Sequence, residues 1–257
     1  MSASFEGKKA VVTGANRGIG LSVAEGFLSA GADVTIVALE TDVETVAAEL
    51  SENYGKTVRG LVCDISDLDQ VVQLRSKIDH ADILINNAGF EYITPISEPS
   101  GQVDANFRQI VETNVIGTFS VIRHLLDRLP DGARIVNTAS MWGKTAVAEF
   151  SGYCASKHAV IGLTRSLAQE LAPRKISVNA VCPGWVRTAA SMRSLSFMAA
   201  RQDRTESDLL TEIVSAQALE GLMEPADMAA IYLFLSGPAA DNITGQSFTI
   251  DRGELMQ

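Results

Sequence analysis

The chain reads as an α/β protein: a doubly wound, seven-stranded parallel sheet with helices on both faces, forming a single domain over residues 1–257. Three observations predict this. Short β-branched runs alternate with longer stretches of helical spacing, a glycine turn joins the first run to the first helical stretch, and polar motifs recur just beyond the ends of successive runs. Right-handed crossovers between parallel strands then place helices on both faces. With hydrophobic content of 46% and charged content of 20%, 257 residues can bury a sizeable core. No linker, low-complexity run or repeat divides the pattern.

The first strand, Lys9–Thr13, runs into Gly14-Ala15-Asn16-Arg17-Gly18-Ile19-Gly20, after which helical periodicity begins. Glycines in such a turn remove the side chains that would keep a pyrophosphate from backbone N–H groups and the positive end of the helix. The spacing is Gly-x-x-x-Gly-x-Gly, not the usual Gly-x-Gly-x-x-Gly, and glycines also simply make loops. A second strand, Asp33–Ala38, precedes a helix whose start has the form of a capping box, Thr41 capping and Glu44 reaching back. Strands over Thr57–Val62, Ile83–Asn86, Ala133–Thr138, Ile176–Val181 and Ser247–Ile250 complete the sheet, with helices in the intervals. In such sheets ligands bind beyond the carboxyl ends of the strands. Gly14 follows the first strand, Asp64 the third, Asn87-Ala88-Gly89 the fourth, Ser140 the fifth and Pro183-Gly184 the sixth. Five loops therefore share one rim.

Tyr153 and Lys157 stand four apart in a stretch of helical spacing, so both project from one helix face. An ammonium beside a phenol favours the phenolate. Since a free tyrosine has a pKa of about 10, acid–base work near neutrality needs such help. The same pair also occurs on solvated helix faces.

A net charge of -10 repels phosphate backbones and argues against nucleic-acid binding. Apolar stretches fall short of the roughly 20 residues that span a bilayer, and Met1-Ser2-Ala3-Ser4-Phe5-Glu6-Gly7 lacks an apolar signal core. A soluble, cytoplasmic protein without a membrane partner is expected. Cys63, Cys154 and Cys182, like His80, His124 and His158, are dispersed, which predicts reduced thiols and no metal site. Cys154, next to Tyr153, reads as a buried structural thiol.

The turn Thr13–Gly20, Asn86-Asn87-Ala88-Gly89, Asn114 in Glu-Thr-Asn-Val, Ser140 followed by Tyr-x-x-x-Lys, and Pro183-Gly184 together resemble the short-chain dehydrogenase/reductase family, in the family's order and over nearly the whole chain. The resemblance implies a Rossmann-type fold and hydride transfer between a nicotinamide cofactor and a secondary alcohol or carbonyl. It makes Tyr153 the general acid/base and has Lys157 lower its pKa and bond the nicotinamide ribose. Ser140 would hydrogen-bond the substrate oxygen, and Asn114 would hold a water in a proton relay. Around the cofactor it places Gly14, Asn16, Arg17, Gly18, Ile19 and Gly20 at the phosphates and adenine side, and Asp64 and Ile65 at the adenine. Asn87, Ala88 and Gly89 fall on the ribose and nicotinamide side, and Pro183, Gly184, Val186 and Thr188 in the loop that meets the carboxamide. Asp64 read on its own would instead cap the following helix.

The family's NAD-type Asp is absent at Ala38, and its NADP-type Arg is absent at Leu39. Arg17 inclines the expectation to NADP(H) over NAD(H), whereas Glu40 could reach a ribose. Substrate contacts are expected from Glu91, Met141, Trp142 and Trp185, with Tyr92 nearby, under a lid over about 185–224. Glu91 suits a polyol or sugar; the Trp and Met residues suit a 3-oxoacyl chain or bulky ring ketone. A third reading, a cofactor-binding regulatory protein without turnover, is opposed by the intact Asn114, Ser140, Tyr153 and Lys157. Arg252 stands where the family's closing strand more often ends in Gly. Resemblance further implies a homotetramer.

Overall fold

The computed structural model describes residues 4–256, so residues 1–3 and 257 of the predicted domain, including the first part of the N-terminal reading, lie outside the described residues. Seven strands, β1 Lys9–Thr13, β2 Asp33–Ala38, β3 Arg59–Val62, β4 Ile83–Asn86, β5 Arg134–Thr138, β6 Ser177–Pro183 and β7 Ser247–Ile250, form one sheet in the order β3-β2-β1-β4-β5-β6-β7. Every pairing is parallel. The chain winds outward from β1 to β3, then returns to β4 and winds the other way. The carboxyl ends of β1 and β4 thus flank the point of reversal, where such sheets open a crevice.

The predicted strands recur with small shifts of boundary. β3 starts two residues later than expected because the Val58 N–H donates to Ser51 Oγ, 2.9 Å away, instead of joining the ladder. β6 runs on to Pro183, which pairs with Ile250. Between the strands lie α1 Gly18–Ser29, α2 Asp42–Tyr54, α3 Leu68–Lys77, α4 Gly101–Val111, α5 Thr118–Leu125 and α6 Ser151–Leu171. After β6 come α7 Ala189–Arg201, α8 Glu206–Ser215 and α9 Pro225–Ser236. A π-helical stretch, Glu112–Gly117, links α4 to α5.

The capping box predicted at α2 is absent. Thr41 is already helical (φ -69°, ψ -16°) and makes no side-chain cap bond, whereas an N-cap needs extended backbone to turn its oxygen onto the first N–H groups. A true box forms at α7, where Thr188 is extended and exchanges bonds with Ser191.

Alternate residues of the central strands enter opposite cores, as a strand's two-residue period requires. Val12, Ile36 and Ile85 pack with Phe27 of α1, Leu50 of α2 and Tyr232 of α9. Val11, Val37 and Leu84 pack with Leu74 of α3, Leu125 of α5 and Leu171 of α6. A third cluster stands off the sheet, above the ends of β5 and β6: Met141, Trp142, Phe150, Cys154 and Trp185, covered by Leu195 and Ala199 of α7 and Leu209 of α8.

Candidate active site

The glycine turn is built by close approach. Gly14 has φ +63°, and a Cβ there would lie 2.7 Å from Ala88 Cα. A Cβ on Gly20 would collide with the Gly14 carbonyl and the Asn87 amide. Gly20 accordingly stands behind the cleft lining, while Gly14, Asn16, Arg17, Gly18 and Ile19 form part of it. Thr13 Oγ1 accepts from the N–H groups of Asn87 and Ala88 at 3.1 Å each, and Asn87 Nδ2 donates to the carbonyls of Thr13 and Gly14 at 3.2 and 3.0 Å. These bonds bolt the β1 loop to the β4 loop across the point of reversal. A cleft of about 640 Å³ runs above them, from Leu39 and Glu40 at one end to Ser140, Tyr153, Lys157 and Trp185 at the other. Its stripped glycine floor and elongated shape fit a dinucleotide.

At the outer end, Arg17 pairs with Glu40, with 61% and 41% of their side chains exposed. Asn16 turns its amide to Asp42 Oδ1 at 2.8 Å and Glu40 Oε2 at 3.4 Å, tying the glycine turn to the start of α2. Asp64 and Ile65 line the cleft. Asp64 does not cap α3: its Oδ1 accepts from the Ser66 N–H and hydroxyl, at 2.9 and 2.6 Å, and Asp67 is the cap.

At the inner end, the predicted residues come together. α6 presents Tyr153 and Lys157 on one face, and Lys157 Nζ lies 5.5 Å from the centre of the Tyr153 ring. Lys157 Nζ donates to the Thr138 carbonyl at 2.8 Å. Ser140 Oγ accepts from the Trp142 N–H at 3.2 Å, and its hydroxyl lowers the pKa of the facing Tyr153 phenol. Asn114 is buried in the π-helical stretch, donating to Phe90 O (2.9 Å) and Ser156 Oγ (3.0 Å) and accepting from the Phe90 N–H (2.7 Å). It stands behind the lining, yet a Cβ on Gly89 would lie 3.3 Å from Asn114 Oδ1 and 3.5 Å from Lys157 Nζ, so both atoms face Gly89.

Burial and the nearby Glu91 carboxyl push the Tyr153 phenol well above its ordinary range. The sequence suggested a phenol made acidic by Lys157; in this arrangement the ammonium is directed at the Thr138 carbonyl and the phenol is held neutral. Burial pulls Lys157 down to about 8, opposed by Glu91. Burial raises Glu91 in turn, opposed first by the bond from Ser194 and then by Arg193 and Lys157.

Glu91, Met141, Trp142 and Trp185 all line this end, as do Ala88, Gly89, Pro183, Gly184, Val186 and Thr188. Trp142 meets Tyr153 edge-on at 6.0 Å and Trp185 at 5.8 Å. Tyr92 lies outside the lining and stacks on Phe90 at 6.1 Å. Sequence reasoning missed Thr138, whose carbonyl anchors Lys157, because a backbone acceptor leaves no side-chain signature. It also missed Ser194 and Arg193 on α7, which reach Glu91 from 103 and 102 residues away. Among the described residues no group of His, Cys, Asp and Glu could hold a metal ion, and no helix is long and apolar enough to cross a membrane.

The doubly wound fold, the glycine-floored cleft and the Ser140, Tyr153 and Lys157 cluster at its inner end are those of an oxidoreductase that acts on hydroxyl or carbonyl groups with a nicotinamide cofactor. Residues 8–198 match the short chain dehydrogenase family model, and the chain belongs to that family. It is 30% identical to the D-beta-hydroxybutyrate dehydrogenase of Cupriavidus necator, covering 98% of this chain and 100% of that one. It is 34% identical to the 3-oxoacyl-[acyl-carrier-protein] reductase of Salmonella typhimurium, covering 98% and 99%. The crystal structure of L-sorbose reductase from Gluconobacter frateurii, complexed with NADPH and L-sorbose, superposes with a TM-score of 0.88 at 27% identity, covering both chains fully.

Proposed function

We propose that the protein is an NADP(H)-dependent carbonyl reductase and secondary-alcohol dehydrogenase in which Tyr153 is the general acid/base. The observation that carries this is the Tyr153 phenol, held neutral beside Ser140 on the same helix face as Lys157. A neutral phenol is the form that gives a proton to a substrate oxygen, so the arrangement suits reduction. The bound nicotinamide supplies the hydride. Ser140 hydrogen-bonds the carbonyl oxygen and steadies the charge that grows there. Tyr153 protonates that oxygen, and the Lys157 ammonium stabilises the phenolate left behind. Asn114, which like Lys157 faces Gly89, holds the water through which the proton is replaced.

The cofactor-facing roles follow the lining of the cleft. Gly14, Asn16, Arg17, Gly18 and Ile19 hold the phosphate and adenosine side, with Gly20 letting the turn close; Asp64 and Ile65 meet the adenine. Asn87, Ala88 and Gly89 meet the ribose, and Pro183, Gly184, Val186 and Thr188 meet the nicotinamide. Arg17 is the cation available to a 2′-phosphate, which supports NADP(H); the NADPH complex of L-sorbose reductase agrees. The segment 185–224, with α7 and α8 over the third cluster, acts as a lid. Phe107, Ile116 and Phe119, exposed along α4, the π-helical stretch and α5, suit burial between subunits, in keeping with a tetramer. The buried free thiols Cys63, Cys154 and Cys182 suit a reducing, cytoplasmic setting.

Tyr153→Phe tests the assignment. It removes one oxygen and should lower carbonyl turnover by about 10²- to 10⁴-fold while NADPH fluorescence still reports binding. Unchanged turnover would overturn the catalytic role.

A further inference from the structure

Resting on the oxidoreductase reading above, we propose that Glu91 is the residue that sets substrate class: it recognises a hydroxyl group near the reacting carbon, so the preferred substrates are uncharged polyhydroxy ketones and their polyols.

Among the described residues Glu91 is the one carboxyl that lines the inner end of the cleft with Ser140, Tyr153 and Lys157; the other acids of the lining, Glu40 and Asp64, belong to the outer end. Its position is fixed from two sides by α7. Ser194 Oγ donates to Oε1, and Arg193 donates to the Glu91 backbone carbonyl at 3.1 Å. Among the described residues no protein group bonds Oε2. A pinned carboxyl with one open oxygen beside the reacting groups is a rigid hydrogen-bonding site. That open oxygen can accept from a substrate hydroxyl.

The rest of the pocket complements this. Trp142 and Trp185 are buried in mutual edge-to-face contact, with Trp142 also against Tyr153, and form an apolar wall. A polyhydroxy chain or ring carries both surfaces: hydroxyls for Glu91 and C–H groups for the indoles. The two hints that conflict in the sequence, an acid and large aromatics, thus describe one amphipathic ligand. An alkyl ketone would cover the open Glu91 oxygen without pairing it, and sites built to bond a hydroxyl discriminate most strongly against analogues that lack one. Among the described residues, the cations a carboxylate-bearing ketone would meet at this end, Lys157 and Arg193, are already bonded to the Thr138 and Glu91 carbonyls.

The test compares kcat/KM with NADPH for fructose and sorbose against 2-hexanone, acetoacetate and the N-acetylcysteamine thioester of acetoacetate, in wild type, Glu91→Gln and Glu91→Leu. NADPH fluorescence verifies that each variant binds cofactor, and quenching of Trp142 and Trp185 fluorescence reads sugar binding independently of turnover. The wild type should prefer a ketohexose over 2-hexanone and the thioester. Glu91→Gln, which keeps shape and hydrogen bonding, should hold that ratio within about threefold, whereas Glu91→Leu should lower it by about 10- to 100-fold and weaken the quenching. A wild type that prefers 2-hexanone, acetoacetate or the thioester, or that binds neither ketohexose, overturns the proposal. So does an unchanged ratio in Glu91→Leu. If Glu91→Leu fails to bind NADPH, the wild-type ratio and the Glu91→Gln comparison decide. Failure of the underlying oxidoreductase reading is separate, because it appears as no turnover of any of these ketones by the wild type, whereas wild-type turnover by Tyr153→Phe overturns only the general-acid role.

Discussion

The two ends of the cleft are built from opposite electrostatics. At the inner end Tyr153, Lys157 and Glu91 lie beside α7 and the Trp142–Trp185 wall; burial is the main cause of each one's departure from its ordinary pKa, and the Glu91 carboxyl acts on both of the others. At the outer end Arg17 and Glu40 are close enough to pair, yet both reach solvent. Charges in a water-poor site interact strongly, whereas exposed ones are screened by water and salt. Under the proposed function the difference divides the work: proton transfer falls to the inner end, and the choice between nucleotides to the outer end.

If that contrast is right, the largest losses come from the inner end. Lys157→Met removes the buried ammonium and leaves the Thr138 carbonyl without its 2.8 Å partner. Reductive kcat should fall by about 10²- to 10⁴-fold, and the pH dependence assigned below to Lys157 should vanish. Stopped-flow absorbance at the NADPH band measures both. A kcat within threefold of wild type would place the chemistry elsewhere.

The bolt between the two ends should show the next largest effect, on stability. In Gly20→Ala the new methyl meets the Gly14 carbonyl and the Asn87 amide, a backbone atom and a side chain already bonded twice. The turn must shift, at a cost of about 1–3 kcal/mol. A lowered urea midpoint with an unchanged m-value, and weaker NADPH binding, are expected. Gly162→Ala, on α6 with nothing within 4 Å of its added methyl, serves as the control.

The inner end also predicts a pH profile. Lys157 is depressed by burial to about 8, so its ammonium is present below that pH and lost above it. The group that stabilises the Tyr153 phenolate therefore disappears as pH rises. Reductive kcat should hold level from about pH 6 to 7 and fall above about 8, approaching tenfold per pH unit. A profile flat to pH 9.5 would mean that Lys157 stays charged and that the enclosure is wetter than its packing implies.

What was legible in the sequence follows the same division. The sheet could be read because its strands are buried on both faces and appear as β-branched runs, as in Val34–Val37 and Ile83–Ile85. Tyr153 and Lys157 could be read because one helix holds both at a fixed spacing. The α2 cap could not, because the capping pattern does not fix the backbone of Thr41, which is already helical and makes no cap bond. Nor could the Ser194–Glu91 latch, which joins α7 to the β4 loop across 103 residues through side chains that no local pattern relates.

The outer end should yield the smallest effect, and it sharpens the comparison most. Glu40 holds Arg17 in an exposed pair, so a 2′-phosphate must compete with a carboxylate for that guanidinium. Glu40→Gln releases Arg17 and removes a negative charge from the phosphate's surroundings, which should lower KM for NADPH. Because exposed ion pairs are worth little, the gain is about two- to fivefold, and it should shrink in 0.5 M salt. KM for NADH, which carries no 2′-phosphate, should stay level or rise. Arg17→Ala should act in the opposite direction on NADPH alone, and kcat should be unmoved in both variants. A change in kcat, or a salt-insensitive gain, would show that the outer end is not the screened, purely selective site that its exposure indicates.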